Sequence, residues 1–301
     1  MGAKNMSRET EKMFKGLQEF MAKNISEDMK KMVDEYMSNQ IGAPMNELTE
    51  KNAQTSDDFL ELAMDAENEA TALKYAKKAL KLDPDNLDAE AMIADITSEN
   101  DFDYYKKLKR IVEHGNKVIE KNGFLEDVGH FWGVIETRPY MRVRHSYIES
   151  LIACRMMTHA IDECEDMLRL SENDNLGIRY ILMHLYAYVE DETKALELHK
   201  KYEGNDETQM LLPLAMIYFK LEKWEQAEKY LKKLSKANKD TKKFIKAVLT
   251  DSLDREAQKM NSFGYAPFSI EEFVTEFAEN SYLFRAEYNF FIWADGILKS
   301  K

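Results

Sequence analysis

The sequence predicts an all-α protein built from stacked helical hairpins. Glycine and proline are scarce, with 11 and 5 among 301 residues, whereas all-β folds need many turns that are rich in these two residues. Apolar residues recur at steps of three and four along most of the chain, which is the spacing of one face of a helix. Similar segments also return at intervals of about 34 residues, which is typical of helical repeat proteins.

Each repeat is marked by an alanine that opens an amphipathic helix ending in Asn- or Asp-rich turn residues. Ala160, Ala195 and Ala227 lie 35 and 32 residues apart, and Ala72 opens a fourth copy. A small side chain is needed where two antiparallel helices approach to about 8–10 Å. A second apolar helix precedes each of the three later alanines. The predicted fold is therefore a tetratricopeptide-like α-α superhelix, or solenoid, with an irregular insertion and non-repeat helical ends.

The predicted organisation has three parts. Residues 1–45 form an amphipathic helical segment rich in methionine, residues 56–260 form the repeat domain, and residues 261–301 form a helical C-terminal cap. The repeat domain contains an irregular unit at 86–135, because the 88 residues from Ala72 to Ala160 do not fit a whole number of repeats. Within this unit we predict one helix at about 86–96 and a longer one at about 101–121.

Three blocks of unusual sequence lie between Gly129 and Tyr180. They are Gly129-His130-Phe131-Trp132-Gly133, Glu136-Thr137-Arg138-Pro139-Tyr140-Met141-Arg142, and Asp174-Asn175 followed by Gly177-Ile178-Arg179-Tyr180. Through these blocks the chain resembles a bacterial group of tetratricopeptide proteins related to the suppressor of tumorigenicity 7 family, from about residue 56 to the C-terminus. The resemblance implies an all-helical repeat protein and brings no established reaction with it.

Composition and charge restrict the classes of partner. The formal charge of −13 and the pI of about 5.1 disfavour nucleic acid, because an acidic chain repels phosphate backbones. The N-terminus is too polar for a signal peptide, and the absence of a run of 18 apolar residues predicts no membrane span. Two cysteines without a disulfide framework indicate a reducing compartment. We therefore expect a cytoplasmic protein that binds neither nucleic acid nor membrane.

Residues 122–193 contain no lysine but hold six of the ten arginines, namely Arg138, Arg142, Arg144, Arg155, Arg169 and Arg179. A planar guanidinium group suits packed carboxylates and bidentate recognition better than an ammonium group does. Eight acidic residues lie between Glu136 and Tyr180, so internal ion pairing and ligand recognition both remain open. Of the six, Arg155 and Arg169 fit a structural role better, and Arg142 fits ligand binding better.

The phase of the repeats predicts a concave groove that binds a partner. Its candidate residues are Arg138, Arg142, His145, Glu149, Tyr180, His184, Leu212, Met216 and Phe219. Such a groove is cationic at one end and apolar at the other. It would fit an extended protein segment or peptide that carries an acidic residue and an apolar anchor.

The expected function is therefore that of a non-enzymatic protein-interaction module without a cofactor. The sequence has no HExxH motif and no glycine-rich phosphate loop, and both cysteines lie on predicted apolar helix faces, so we predict neither catalytic nor metal-binding residues. Two alternatives remain open. One is a structural or assembly subunit, and possible homo-oligomer, acting through the methionine-rich N-terminal helix. The other is an enzyme of unknown reaction.

Overall fold

The computed structural model describes residues 15–16, 48–202, 206–260 and 265–299. Within these ranges the protein is all-helical, with 15 α-helices and no β-strand, and the helices pack neighbour to neighbour. The predicted segment 1–45 lies outside the described residues except for Lys15 and Gly16. The described residues divide into two compact units. Unit 1 holds those up to Met156 together with 166–175, and unit 2 holds 157–165 together with those from Leu176 onward.

Unit 1 is built from successive helices along the chain. They are α1 (Ser56–Met64), α2 (Glu69–Leu82), α3 (Leu87–Thr97), α4 (Asp101–Lys121), α5 (Arg138–Ala153) and the last five residues of α6 (Met157–Leu170). Each helix from α1 to α4 contacts the next one along the chain, and α3 also contacts α5. The bounds of α3 and α4 confirm the two helices predicted for the irregular unit.

The first four helices begin at side chains that cap them. Thr55, Asn68, Asn86 and Asn100 each accept a hydrogen bond from a backbone N–H in the first turn of the helix that follows. Such a cap satisfies one of the free N–H groups at a helix start and contributes about 1 kcal/mol. These residues therefore fix where the helices of unit 1 begin.

The connection from α4 to α5 consists of short 3₁₀ turns that attach to the end of α6. The backbone N–H of Gly129 donates to the carbonyl of Leu170 at 3.0 Å, and Glu172 donates to the carbonyl of Gly129 at 2.9 Å. Gly129 has φ +99, a conformation that side chains disfavour, so a glycine is required there. The block of sequence around Gly129 therefore has a structural role in unit 1.

Unit 2 contains nine further helices. They are α7 (Ile178–Val189), α8 (Glu192–Lys201), α9 (Thr208–Lys220), α10 (Trp224–Ala237), α11 (Thr241–Leu249), α12 (Leu253–Ala257), α13 (Ile270–Glu279), α14 (Ser281–Phe284) and α15 (Tyr288–Lys299). The repeat alanines of unit 2, Ala160, Ala195 and Ala227, are all fully buried. Ala72 of α2 is only half-buried, and Ala76 and Ala79 take the buried positions of that helix.

The C-terminal helices of unit 2 pack against the helices that precede them in this unit. Helix α13 contacts α9 and α11, α14 contacts α7, and α15 contacts α10 and α11. Phenylalanine rings fill this interface, and those of Phe244 and Phe273 stack with centroids 4.4 Å apart. This packing covers faces of α7 and α9 that the groove prediction left open. No helix of the described residues has both the length and the apolar character needed to cross a membrane.

Gly115 lies at a close approach inside unit 1, and we expect its replacement by alanine to destabilise the protein. An added Cβ would lie 2.6 Å from Cδ2 of Tyr140 and 3.1 Å from Cδ1 of Leu87. Tyr140 is buried and its hydroxyl donates to Asn116 at 2.6 Å, so the ring has little room to move. Overpacking costs about 1–3 kcal/mol, and the better helix propensity of alanine offsets up to about 1 kcal/mol. The free energy of unfolding should therefore fall by about 1 kcal/mol in urea titrations.

Gly296 of α15 provides the matched control, because an added Cβ there meets no atom within 4 Å. Gly296→Ala should leave stability unchanged or raise it through helix propensity alone. Equal stabilisation by both substitutions would contradict a steric role for Gly115.

Candidate functional site

Arg142, the arginine that the sequence favoured for ligand binding, forms a two-point ion pair with Asp88. Its Nε donates to Oδ1 at 3.0 Å and its Nη2 to Oδ2 at 2.6 Å. The side chains are only 16% and 8% exposed. Helix α5 presents Arg142 and the first turn of α3 presents Asp88. Because this guanidinium group already neutralises a buried carboxylate, the geometry favours the structural interpretation of Arg142.

Arg144 and Arg169 share one carboxylate in unit 1. Nη1 of the buried Arg144 donates to Oδ2 of Asp166 at 2.7 Å, and Nη2 of Arg169 lies 2.7 Å from Oδ1. Burial by itself would raise the pKa of Asp166, but the two guanidinium groups outweigh it and hold the pKa below its ordinary value. This cluster is an internal ion-pair network, as expected for arginine among packed carboxylates.

Two further arginines of the block also have partners within their own units. Arg138 donates from Nε to the carbonyl of Trp132 at 2.8 Å. The guanidinium carbon of Arg179 lies 4.2 Å from the centre of the Tyr180 ring, at the distance of a cation–π contact. Arg155 is different, since it is exposed in the turn after α5, where its φ is 60°.

His145 is partly exposed and Glu149 is exposed, and both belong to the predicted groove residues of unit 1. They lie one turn apart on α5, with Nδ1 and Oε2 separated by 3.9 Å. The Glu149 side chain is 60% exposed. They form a weak surface pair. Arg138 and Arg142, the other predicted groove residues of unit 1, lie on the same helix.

The apolar end of the predicted groove is filled by the protein itself. Leu212, Met216 and His184 are fully buried in unit 2, so they do not line an open surface. The Phe219 ring packs on Trp224, Phe290 and Trp293. Tyr180 is half-buried beneath Arg179. The groove prediction was wrong for the buried residues because helices α13 to α15 pack over α7 and α9.

His184 instead belongs to a buried polar network. Its Nδ1 lies 2.7 Å from the carbonyl of Tyr180, which can only accept, so Nδ1 carries a proton. Its Nε2 lies 2.9 Å from Oε1 of Glu276, and this contact needs one proton on either atom. Burial raises the pKa of Glu276, and its Oε2 makes no hydrogen bond. The network therefore ties α7 to α13 through one shared proton.

Glu272 makes a second buried connection, between α13 and the start of α9. Its Oε2 accepts from Oγ1 of Thr208 at 2.8 Å and from the backbone N–H of Phe268 at 2.7 Å. Burial again raises the pKa of the carboxyl group. Both carboxyl groups thus connect α13 to other helices of unit 2, Glu276 to α7 and Glu272 to α9.

A cavity of about 250 Å³ opens in unit 1, and sequence reasoning missed it. Apolar side chains and one tyrosine form its floor, namely Leu60, Met64, Leu87, Val118, Ile119 and Tyr140. Carboxylates surround this floor, and those that form the rim are Asp57, Glu61, Asp65, Asp83, Asp85 and Glu136. We refer to this site as the acid-rimmed cavity.

Among the described residues that line the acid-rimmed cavity, carboxylates outnumber cations. Lys15 and Arg142 are the cations of this described lining, and Arg142 is neutralised by Asp88, which also lines the cavity. At the edge of the cavity, Nζ of Lys121 lies 3.0 Å from Oδ2 of Asp85. This hydrogen bond is the main cause that lowers the pKa of Asp85. Asp65, Asp83 and Glu136 are exposed carboxylates of the rim, so the site is suited to cationic groups.

One sequence signal could have revealed the rim. Asp57 and Glu61 are four residues apart on α1, and Asp65 follows at the same spacing as the C-cap of this helix, so the three carboxylates lie along one side. Such a row is usually a solvated face. Here the row of carboxylates marks a site because apolar side chains of α3 and α4 lie beside it. A local sequence pattern does not show that these side chains are close to the row.

The described ranges contain no group of three or more His, Cys, Asp or Glu placed to hold a metal ion. Neither Cys154 nor Cys164 forms a disulfide, and burial raises the pKa of the Cys154 thiol. The rim carboxylates are thus spread along a surface rather than converging on one point.

Comparison with known proteins gives no family assignment. No protein-family model matches the chain, and no curated protein matches it significantly. The resemblance to tetratricopeptide proteins related to the suppressor of tumorigenicity 7 family therefore stays a prediction.

Proposed function

We propose that the protein is a non-enzymatic interaction module whose acid-rimmed cavity binds a cationic amphipathic helix or peptide. The observation that carries the proposal is the pairing of an apolar floor with a rim of carboxylates in unit 1. An apolar side chain of the partner would enter the cavity, and lysine or arginine side chains beside it would meet the rim. This is the usual mode by which a groove receives an amphipathic helix.

The size of the cavity supports a peptide rather than a small-molecule ligand. Its volume of about 250 Å³ is below the range of about 300–1,000 Å³ that is typical of small-molecule sites. One or two anchor side chains fit such a space. The exposed carboxylates Asp65, Asp83 and Glu136 extend the site beyond the floor, where they can steer a cationic partner.

The proposed partner has the opposite charge to the one that the sequence favoured. That expectation depended on Arg142 facing a ligand, and this guanidinium group is paired with Asp88. Without it, the accessible charges around the apolar floor are mainly negative. A cationic partner therefore fits unit 1 better than the acidic peptide expected at first.

We further propose that the helices belong to a tetratricopeptide-like superhelix related to the bacterial group named above. The support is the full burial of Ala160, Ala195 and Ala227 at intervals of 35 and 32 residues, together with helices that pack neighbour to neighbour. Helical repeat arrays act mostly by binding other proteins, which agrees with an interaction module.

Charge reversal on the rim tests the proposal. Asp65→Lys combined with Glu136→Lys should weaken binding of a synthetic Leu/Lys peptide with helical spacing by about tenfold, because two attractions become repulsions. Binding is measured by fluorescence anisotropy of the labelled peptide. The affinity of the unmodified protein should also fall as salt is added, since exposed charges are screened.

The matched control is Glu113→Lys combined with Glu120→Lys, which reverses two exposed carboxylates of α4 outside the cavity lining. This pair makes the same change in net charge. If both pairs weaken binding equally, or if neither does, the cavity is not the binding site.

A further inference from the structure

We propose that unit 2 carries a peripheral binding surface for anionic membranes, formed by the exposed lysines of α10 and α11 together with the exposed ring of Phe268. The inference goes beyond the proposed function, because it concerns the other unit and an anionic surface rather than a cationic peptide. It assigns the protein a second partner without requiring a membrane-spanning helix.

The first observation is a local excess of lysine. Residues 229–246 contain eight lysines and one acidic residue, in a chain whose formal charge is −13. Exposed charges more than about 8 Å away are largely screened at physiological salt, so this local excess decides what the surface attracts. We refer to these eight residues as the lysine surface, namely Lys229, Lys232, Lys233, Lys236, Lys239, Lys242, Lys243 and Lys246.

The lysine surface lies on two neighbouring helices. Within α10 and within α11 the lysines recur at steps of three and four residues, so they share one face of each helix. Buried side chains such as Leu231, Phe244 and Ile245 hold the opposite faces in unit 2. Helix α10 contacts α11, and Lys239 lies in the turn between them. All of these lysines except Lys233 are exposed.

Most of these ammonium groups are available to a partner. Three are paired, namely Lys232 with Glu228, Lys233 with Asp206 and Lys243 with Glu256. The other five form no ion pair with any residue that the structure describes. Each lysine near an anionic membrane contributes about fivefold to the affinity. A membrane presents many headgroups at once, so these contributions add, whereas a short acidic peptide meets few of them.

The second observation is the ring of Phe268, which is 50% exposed. The φ of this residue is 58°, a left-handed conformation that bulky side chains rarely adopt. Its backbone N–H donates to Oε2 of the buried Glu272 at 2.7 Å, so the backbone is held while the ring remains exposed. Strain that brings no burial of the ring points to a functional role.

Two hydrogen bonds locate this exposed phenylalanine beside the lysine surface. Nδ2 of Asn238 donates to the carbonyl of Ser269 at 3.1 Å, and the backbone N–H of Ile270 donates to Oδ2 of Asp240 at 2.9 Å. Ser269 directly follows the phenylalanine, and Asn238 and Asp240 flank Lys239 in the turn between α10 and α11. An exposed apolar ring and a row of ammonium groups therefore occur together.

Lysines beside an exposed apolar ring fit a membrane better than they fit other polyanions. Sites for nucleic acids and phosphopeptides favour the planar fork of arginine, and residues 180–254 hold no arginine. Lysine suits the diffuse charge of anionic headgroups, and an apolar ring can enter the boundary between headgroups and acyl chains. The expectation that the protein binds no membrane came from a sequence without an apolar span, which a peripheral surface does not need.

Vesicle sedimentation with the full-length protein tests the proposal. The protein should bind vesicles that contain phosphatidylserine, should not bind vesicles of phosphatidylcholine alone, and should be released by added salt. Charge reversal of three lysines should weaken binding by more than about 100-fold, through Lys236→Glu, Lys239→Glu and Lys242→Glu. The matched control makes the same change in net charge at three exposed lysines of unit 1, through Lys77→Glu, Lys81→Glu and Lys109→Glu. This control should lose no more than about threefold.

Phe268→Asn tests the ring separately. Asparagine tolerates a left-handed backbone, so stability should be retained while affinity for the anionic vesicles falls by about tenfold. Leu125→Asn changes another exposed apolar residue and should leave that affinity unchanged. A lower melting temperature of the Phe268→Asn protein with unchanged vesicle binding would give the ring a structural role and contradict its insertion.

The remaining outcomes also decide the inference. An absence of binding to the phosphatidylserine vesicles, or equal losses in both lysine variants, would overturn it. Tighter binding of a DNA duplex or of polyglutamate at the same salt concentration would identify another class of partner and would overturn it too. The proposed function is tested apart from this, because Asp65→Lys with Glu136→Lys should leave vesicle binding intact.

Discussion

Replacing Arg142 with methionine is expected to lower the free energy of unfolding by about 3–5 kcal/mol. The substitution leaves the carboxylate of Asp88, which is only 8% exposed, without its guanidinium partner. Asp88 lies in the first turn of α3, where the helix dipole recovers about 0.3–1 kcal/mol of that loss. The remaining loss is still a large part of the total free energy of unfolding that is usual for a folded protein. Urea denaturation followed by circular dichroism measures it.

A double substitution distinguishes ion pairing from a loss of packing. Asp88→Asn combined with Arg142→Met removes both charges, so most of the loss should be recovered. Arg155→Met serves as the control, because Arg155 is exposed and its replacement should change stability by no more than about 0.5 kcal/mol. An Arg142→Met protein as stable as the Arg155→Met protein would restore Arg142 as a candidate for ligand binding.

Replacing His184 with leucine is expected to cost about 3–5 kcal/mol at neutral pH, because Glu276 is left buried without its hydrogen-bonding partner. The loss should be smaller at acidic pH. The folded-state pKa of Glu276 is raised above its ordinary value of 4.5 by burial. A carboxyl group whose pKa is raised by folding stabilises the folded state at a pH below its unfolded-state pKa. This stabilisation is lost as the pH rises through the folded-state pKa. Without His184 that pKa rises further, so the penalty grows with pH.

Glu276→Gln provides the matched variant for this pH dependence. The amide can donate to Nε2 of His184 and cannot ionise, so the hydrogen bond is retained while the titration is removed. As the pH rises above about 4.5, the unmodified protein should lose stability relative to this variant, by up to about 1.4 kcal/mol per pH unit. Glu272, whose pKa is also raised, contributes the same sign and remains in both proteins. A gain in relative stability with rising pH would contradict a buried, protonated Glu276.

Local sequence patterns were sufficient to predict the helices and the tight contacts between them. Ala160, Ala195 and Ala227 are fully buried. A small residue is needed where two helices approach most closely, and this need is visible in the local sequence of a single helical hairpin. The helices of the irregular unit were predictable for the same reason, because Asn86 and Asn100 cap them locally.

The failures all involve contacts between residues that are far apart in the chain. His184 and Glu276 are 92 residues apart, and Arg142 and Asp88 are 54 apart. Periodicity shows that a helix face is apolar but does not show whether another helix covers it. Leu212 and Met216 were therefore assigned to an open groove although α13 contacts their helix.

Residue chemistry was more informative than residue position. The preference of arginine for packed carboxylates correctly indicated partners such as Asp166, shared by Arg144 and Arg169. The same reasoning did not reveal the acid-rimmed cavity, because the row of carboxylates on α1 looks like an ordinary solvated face. Only the apolar residues of neighbouring helices turn that row into the rim of a site.

The sign of the charge that this protein recognises can be measured directly with two synthetic peptides. The two peptides have leucine at the same positions. All their remaining positions are lysine in one peptide and glutamate in the other. Each peptide is titrated into the full-length protein at low and at high salt. We predict that the lysine peptide binds, that added salt weakens it, and that the glutamate peptide does not bind. Tighter binding of the glutamate peptide would contradict recognition by the acid-rimmed cavity and would return the arginines to the binding site.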